Sequence, residues 1–337
     1  MKLLVSLSLF VFILASCTFT STKPEAAVTP GQYQYQDFAY DLVWSPDDNL
    51  LAATTNTGLY VYDAKTYSQL AVLDNIGGST VAFGKEYLAA INNHGLQVWT
   101  LKDFKILFHV EQDPNNGFQS LAISPDEKTL AAANQNQVRL WSIPDGKMIA
   151  TLNNVSLASD MKFGDGDGLI IASPYFGKIQ EWDIKSQKMI HSFEFPKPVV
   201  SLRLSADGKE VIVDYGLTGF ELWNVDAGKL QQNYGDIVSA SGWQRLSGDN
   251  HYVVVWGYAF DGKNSGLSVW DMQVHVHLQE FTTPFVNGDG WRCGALNSDG
   301  SILAASNNEG YINFYDVGSG KELGKIYLPY KFIVGKG

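Results

Sequence analysis

The sequence predicts an all-β protein, a seven-bladed β-propeller made of four-stranded antiparallel blades. One unit recurs seven times at a period of about forty residues. Each unit alternates apolar and polar residues at period two between turn signals, and no long stretch has the apolar period of a helix. Each copy ends its alternating segment on an aromatic residue: Tyr62, Trp99, Trp141, Trp182, Trp223, Trp270 and Tyr315.

The N-terminal residues resemble a bacterial lipoprotein signal. Lys2 precedes Leu3–Leu14, an apolar run that is too short to span a membrane and fits a signal-peptide core. The run ends in Leu14-Ala15-Ser16-Cys17, which resembles a lipobox. The resemblance implies that residues 1–16 are removed and that Cys17 is acylated, which anchors the chain stably in a membrane. The alternative is an ordinary secretory signal followed by an unrelated cysteine.

Residues 17–32 are predicted to form a flexible tether after the lipidated Cys17. The segment is rich in Thr, Ser, Pro, Glu, Ala and Gly and has no apolar periodicity. The predicted location is therefore the cell envelope, on the periplasmic or extracellular side of a bacterial membrane. Cys293 then lacks a disulfide partner and is expected to be a small buried apolar residue.

Residues 33–337 carry the repeated unit, and the third copy shows its parts most plainly. Ser124-Pro125-Asp126 is a tight-turn signal, Leu130–Ala133 is a small apolar strand, and a polar turn leads to the alternating strand Val138–Trp141. With a strand before the turn and another after the aromatic, each unit has four strands, here called a to d. Matching turn signals begin at Ser45, Ser205, Ser247 and Asn297.

The unit resembles the WD (Trp-Asp) repeat. Leu121–Asp126, the small-residue strand and Trp141 follow the pattern of that repeat, and the dipeptide itself survives as Trp182-Asp183 and Trp270-Asp271. The resemblance implies a propeller that acts by binding partners. No copy has the Gly-His dipeptide that precedes strand a in the family, so the family's buried Asp-His-Ser/Thr-Trp hydrogen-bond tetrad cannot be complete.

Two arrangements can close the ring. In the favoured one, Glu322–Leu328 forms the outer strand of blade seven, and the ring closes by face packing alone. In the other, the alternating segment Gln32–Gln36 supplies that strand from the N-terminus.

Composition argues against several functions. The net charge of −11 would repel a nucleic acid over most of the surface. Neither cysteine lies in a zinc-binding spacing, the six histidines do not recur at one blade position, and no nucleophile or phosphate-loop motif is present. We therefore predict a non-catalytic monomer with no catalytic residue, metal or cofactor. The alternative is an exported propeller enzyme that acts on sugars or lactones.

Aromatic residues in the b–c connections of blades four to six are the candidate binding residues. The count from the turn aspartate to the closing aromatic is longest in blade six, and the extra residues are predicted to enlarge its b–c loop, Gly257–Gly266. Exposed aromatic rings are favoured anchors for partners. The candidates are Tyr175, Phe176, Tyr215, Trp256, Tyr258 and Phe260.

These rings are predicted to form a patch for a protein, peptide or glycan. The alternative is that they fold back onto the blades and fill the mouth of the channel. Trp291 falls in an apolar column at the start of blade seven and is predicted to be core.

Overall fold

The computed structural model describes residues 32–334, apart from 74–79, 93–94, 112, 114, 156, 165–167, 217–218, 236–242, 259–263, 285–289 and 329. Seven four-stranded antiparallel sheets follow one another along the chain, which confirms the predicted fold class. The described residues also include a two-stranded sheet and one short 3₁₀ turn, Pro174–Phe176. Cys17 and the predicted signal and tether, residues 1–31, lie outside the described residues, so these assignments stay predictions.

The strands have the following bounds. Strand β1 is Gln32–Gln36; blade one is β2 (Ala39–Trp44), β3 (Leu50–Thr55), β4 (Leu59–Asp63) and β5 (Gln69–Leu73). Blade two is β6 (Thr80–Phe83), β7 (Tyr87–Asn92), β8 (Gly95–Thr100) and β9 (Ile106–Glu111); blade three is β10 (Ser120–Ile123), β11 (Thr129–Ala133), β12 (Gln137–Ser142) and β13 (Met148–Asn153). Blade four is β14 (Asp160–Phe163), β15 (Gly168–Ser173), β16 (Lys178–Asp183) and β17 (Lys188–Glu194); blade five is β18 (Ser201–Leu204), β19 (Glu210–Asp214), β20 (Phe220–Asn224) and β21 (Lys229–Tyr234). Blade six is β22 (Trp243–Leu246), β23 (Tyr252–Tyr258), β24 (Asn264–Asp271) and β25 (Val276–Pro284); blade seven is β26 (Trp291–Leu296), β27 (Ile302–Asn307), β28 (Tyr311–Asp316) and β29 (Glu322–Tyr327); β30 is Tyr330–Val334.

The first strands of the blades surround a common axis. Each first strand contacts the first strand of the next blade, and β26 of blade seven contacts β2 of blade one, so the series closes on itself. Blade seven is completed by its own outer strand β29, so the favoured closure is confirmed. Strand β1 does not supply that strand, because it pairs with β30 in a separate two-stranded sheet.

The hydrophobic core is divided into seven layers, one between each pair of adjacent blades. Small alanines of strand b, such as Ala131 and Ala132, are fully buried and let the sheets approach closely. The repeated aromatic fills the layer toward the preceding blade: Trp99 packs against blade one, and Trp141 against blade two. The period of the aromatics thus reflects one ring inserted at each interface.

Two further predictions about the core are confirmed. Trp291 is 4% exposed, and its indole N–H donates to the carbonyl of Phe281 at 2.8 Å. Cys293 is fully buried with its thiol 3.3 Å from the carbonyl oxygen of Ala39, and burial raises the pKa of this thiol.

The a–b turns of blades one, three, five and six share one hydrogen-bond pattern. In blade three the Ser124 hydroxyl donates to the Asp126 carboxylate at 2.7 Å and accepts the Thr129 N–H at 2.9 Å. The Asp126 carboxylate also accepts the Lys128 N–H at 3.1 Å. The residue after the aspartate, Glu127, has φ 55°, a left-handed conformation that glycine takes in blades five and seven. The same pattern holds the turns that begin at Ser45, Ser205 and Ser247.

We predict that Ser124→Ala lowers the free energy of unfolding by about 1–2 kcal/mol in urea titrations, because two hydrogen bonds in a tightly packed turn are lost. Lys128→Gln in the same turn is the control. It removes only an exposed ion pair with Asp126 at 3.7 Å and is expected to change stability by less than about 0.5 kcal/mol. Equal effects of the two substitutions would contradict the structural role of the serine.

We also predict that acid destabilises the ring through these turns. The serine hydrogen bond is the main cause that holds the pKa of Asp47 and of Asp126 below the usual 3.8. A carboxylate with a lowered folded pKa contributes stability above its unfolded pKa, and this contribution is lost as pH falls through the folded pKa. The urea concentration at the midpoint of unfolding should therefore decrease when the pH is lowered below about 4. The double variant Ser45→Ala/Ser124→Ala should show a smaller decrease over the same pH range.

Candidate functional site

One face of the ring carries the b–c turns and the d–a connections between blades, and we call it the b–c face. In an antiparallel four-stranded blade these segments share one end, whereas the a–b and c–d turns share the other. The b–c turns have no common sequence, so this face differs from blade to blade. The candidate aromatic residues lie in or next to it.

Tyr175 and Phe176 are the most exposed of the predicted anchors that the structure describes. They lie in the 3₁₀ turn Pro174–Phe176, and Gly177 ends this turn at φ 57° with its N–H donated to the Pro174 carbonyl at 2.9 Å. Tyr175 is 79% exposed and Phe176 is 50% exposed. Their rings meet edge to face at 5.0 Å, so two aromatic surfaces stand in solvent on a fixed turn.

An open groove lies beside Phe176. The b–c turn of blade three contributes Gln135 and Asn136, and the connection from blade three to blade four contributes Asn154, Val155 and Leu157. The Val155 N–H donates to the Asn136 carbonyl at 3.2 Å, which ties the two segments together. The side-chain amides of Gln135, Asn136 and Asn154 make no hydrogen bond with another residue that the structure describes.

Sequence reasoning missed the three amides of the groove. A signal was present, because Asn134-Gln135-Asn136-Gln137 and Asn153-Asn154 are polar runs at neighbouring positions of the b–c face. Such runs are also ordinary turn sequences, and only the structure shows that they meet beside Phe176.

Tyr215 lies in the same face but is held inside it. Its hydroxyl donates to the carboxylate of Glu221 at 2.9 Å, and its ring packs against the layer between blades four and five. The Lys197 ammonium lies 4.8 Å from the ring centre. Tyr215 thus follows the predicted alternative, in which a ring folds back onto the blades.

Glu221 organises this part of the face. Its side chain is 6% exposed, and it also accepts the Trp223 indole N–H at 2.8 Å and the Lys197 ammonium at 3.1 Å. Burial raises the pKa of Glu221, but the hydrogen bonds from Trp223, Lys197 and Tyr215 outweigh burial and hold the pKa below its usual value. The carboxylate is therefore a structural acceptor that is charged at neutral pH.

The extra residues of blade six lengthen a hairpin. The predicted loop Gly257–Gly266 is wrong at both ends, because Gly257 pairs with Gly266 and Tyr258 pairs with Ser265 in the ladder between β23 and β24. Trp256 is opposite Leu267 in that ladder and packs, partly buried, against the layer between blades six and seven. The side chain of Tyr258 and the whole of Phe260 lie outside the described residues.

Basic residues recur at one register position of strand a in three consecutive blades: Lys162, Arg203 and Arg245. Arg245 reaches from blade six to Asp41 of blade one at 2.7 Å, and Lys162 lies 3.8 Å from Asp160. The Arg245–Asp41 ion pair links blade six to blade one, and the Lys162–Asp160 pair balances charge within blade four. The sequence contained a signal for this shared register position, because Arg203 and Arg245 each precede the aspartate of their a–b turn by four residues.

Within the part of the chain that the structure describes, no three His, Cys, Asp or Glu side chains are grouped so that they could hold a metal ion. Over the same residues, no helix has the length and apolar character needed to cross a membrane.

Several known proteins are similar in sequence to part of this chain. No protein-family model matches the chain. Periodic tryptophan protein 2 homolog of Schizosaccharomyces pombe is 23% identical over 215 residues, 63% of this chain and 22% of its own length. Periodic tryptophan protein 2 of Arabidopsis thaliana is 27% identical over 204 residues, 57% and 21% of the two lengths. A WD repeat-containing protein of Synechocystis sp. is 24% identical over 178 residues, 50% and 51%.

The chain is similar to WD-repeat proteins. It spans only about a fifth of the length of the first two relatives. Together with the seven four-stranded blades, these relatives support the interpretation as a WD-repeat β-propeller.

We predict that Tyr215 and Tyr175 respond differently to loss of the hydroxyl. Tyr215→Phe should lower the free energy of unfolding by about 1 kcal/mol, since a buried hydrogen bond to Glu221 is lost. Tyr175→Phe, at the exposed ring, should stay within about 0.5 kcal/mol of the wild type. Urea titration measures both, and an equal or reversed order would contradict the structural assignment of Tyr215.

Proposed function

We propose that the protein is a non-catalytic interaction scaffold that binds its partner on the b–c face, around Tyr175 and Phe176. The observation that carries the proposal is the exposure of these two rings on a fixed turn. Exposed aromatic surface is costly in water and is enriched at binding hot spots. Because the blades hold the turn in place, a partner orders little backbone when it binds, and less binding energy is lost.

The similarity to WD-repeat proteins supports a scaffold rather than an enzyme. The described titratable groups support it too. The buried Glu221 is saturated by donors, and Cys293 is a fully buried thiol with a raised pKa, which suits packing rather than nucleophilic attack. We further propose that the scaffold acts as a monomer on a protein or glycan and does not bind nucleic acid, since its net charge is −11.

We propose that the scaffold is tethered in the cell envelope by lipid on Cys17, with residues 17–32 as the tether. The support is the sequence Leu14-Ala15-Ser16-Cys17 after a short apolar run. Two or three acyl chains, at about 0.8 kcal/mol per buried CH₂, hold a protein at a bilayer where a single chain would not.

Cys17→Ser should move the protein from the membrane fraction to the soluble fraction and abolish incorporation of a clickable palmitate analogue. Cys293→Ala is the matched control, because it removes the other cysteine and should leave both fractionation and labelling unchanged. Labelling that persists in Cys17→Ser would contradict the anchor, while loss of labelling in Cys293→Ala would place the lipid elsewhere.

Tyr175→Ser/Phe176→Ser should reduce the yield of cross-linked partner from intact cells by about tenfold or more, because two hot-spot rings are removed at once. Met189→Ser/Ile190→Ser is the control: these side chains are 49% and 59% exposed on the outer strand β17, away from the b–c face. Quantitative mass spectrometry of the cross-linked material measures both variants. An equal loss in the control, or no loss in either, would contradict the proposed face.

A further inference from the structure

We propose that the groove between blades three and four binds a neutral glycan, with Phe176 as the stacking surface and the amides of Gln135, Asn136 and Asn154 as hydrogen-bonding groups. The inference rests on the proposed function, since it names the class of partner that the same face binds. Three properties of the groove lead to it: a flat apolar ring, exposed neutral amides that are not engaged by another described residue, and the lack of an ionisable group among the described lining residues.

Phe176 provides the apolar surface. Half of its side chain is exposed beside the groove, its ring meets that of Tyr175 edge to face, and the left-handed Gly177 closes the backbone turn that carries both rings. A pyranose ring has one face of C–H bonds, which can lie flat on an aromatic ring, while its hydroxyls point outward around the edge. An aromatic surface that is held in place loses little entropy on such contact.

The amides provide the matching polar groups. Each side-chain amide both donates and accepts hydrogen bonds, and so does each sugar hydroxyl. The backbone that carries the amides is fixed from two sides: the Asn134 side chain accepts the N–H groups of Asn136 and Gln137 at 3.3 and 3.0 Å, and the Val155 N–H donates to the Asn136 carbonyl. None of the three amides has a hydrogen bond to another described residue, so all three can turn to a ligand.

The described lining of the groove carries no charge, and this favours a neutral ligand. Its described lining residues are three amides, Val155, Leu157 and Phe176, and none of them is ionisable. Lys178, the first residue of β16, holds its ammonium over the Phe176 ring at 5.5 Å from the ring centre, so a sugar must displace this ammonium or stack on the opposite face of the ring. A peptide would be anchored best by a deep apolar slot or by a charge for its termini or side chains. This groove is open and neutral, which favours the flat, hydroxyl-rich surface of a sugar.

The test uses the purified full-length chain and four neutral oligosaccharides: cellohexaose, chitohexaose, maltohexaose and xylohexaose. Saturation-transfer NMR detects binding, and isothermal titration gives the affinity. We expect at least one of the four to bind. Phe176→Ala should weaken that binding about tenfold, since the stacking surface is lost, and Phe176→Trp should restore it. Asn154→Ala should weaken it several-fold, and Met189→Ala/Ile190→Ala should leave it unchanged.

The outcomes separate this inference from the proposed function. If none of the four oligosaccharides binds when it is present at about 10 mM, tenfold above a Kd of about 1 mM, or if binding survives Phe176→Ala, the glycan assignment is overturned. If Tyr175→Ser/Phe176→Ser still loses its cross-linked protein in that case, the b–c face remains a binding surface and its partner is a protein. If the cross-links are also unchanged, the proposed function fails with the inference. Circular dichroism and the urea midpoint of each variant exclude loss of fold as the cause of lost binding.

Discussion

Apolar packing between adjacent blades is the interaction on which the rest of the structure depends. Each blade is a four-stranded sheet with two apolar faces, and neither face is covered until a neighbouring blade lies against it. The ring must close for the first and last blades to be covered, and the layer that joins blade seven to blade one does this with Phe314, Tyr62 and Leu42. Strand pairing then builds each blade, but burial between blades joins the blades into one ring.

The same constraint explains how much of the fold the sequence could predict. One aromatic must be inserted per interface, so the aromatics repeat with the blade, and the period was visible without any structure. The Ser-x-Asp turns were also visible, because their hydrogen bonds run between residues two and five positions apart. Loop length in blade six was not predictable in this way. Inserted residues can enlarge a turn or lengthen both strands, and in this blade Gly257 and Tyr258 continue the ladder.

The candidate site was predicted only in part, for a physical reason. Aromatic residues mark both binding surfaces and cores, and a single sequence does not say which neighbours surround them. Tyr215 and Tyr175 are both tyrosines of b–c turns, yet the buried carboxylate of Glu221, six residues after Tyr215 on the next strand, holds the Tyr215 ring against the blades. Tyr175 lies on a turn with no such acceptor among the described residues, and its ring stays exposed to solvent. The amides beside Phe176 come from two connections of the chain and become one groove only when the blades pack.

The two faces of the ring therefore carry different constraints. On the a–b side, a serine, an aspartate and a left-handed fourth residue recur in blades one, three, five and six, where they close hairpins next to the tight inter-blade layers. On the b–c side, the connections differ in length and composition. Asn92, Asn134 and Asn307 each accept backbone N–H groups at the start of their turn, but the positions that follow vary from blade to blade. Side chains on that side can therefore vary with the partner that the protein binds. The exposed aromatic pair leaves apolar surface in water there, and a ligand that covers the rings would remove that surface from water, while the exposed amides beside them exchange water for hydrogen bonds to the ligand.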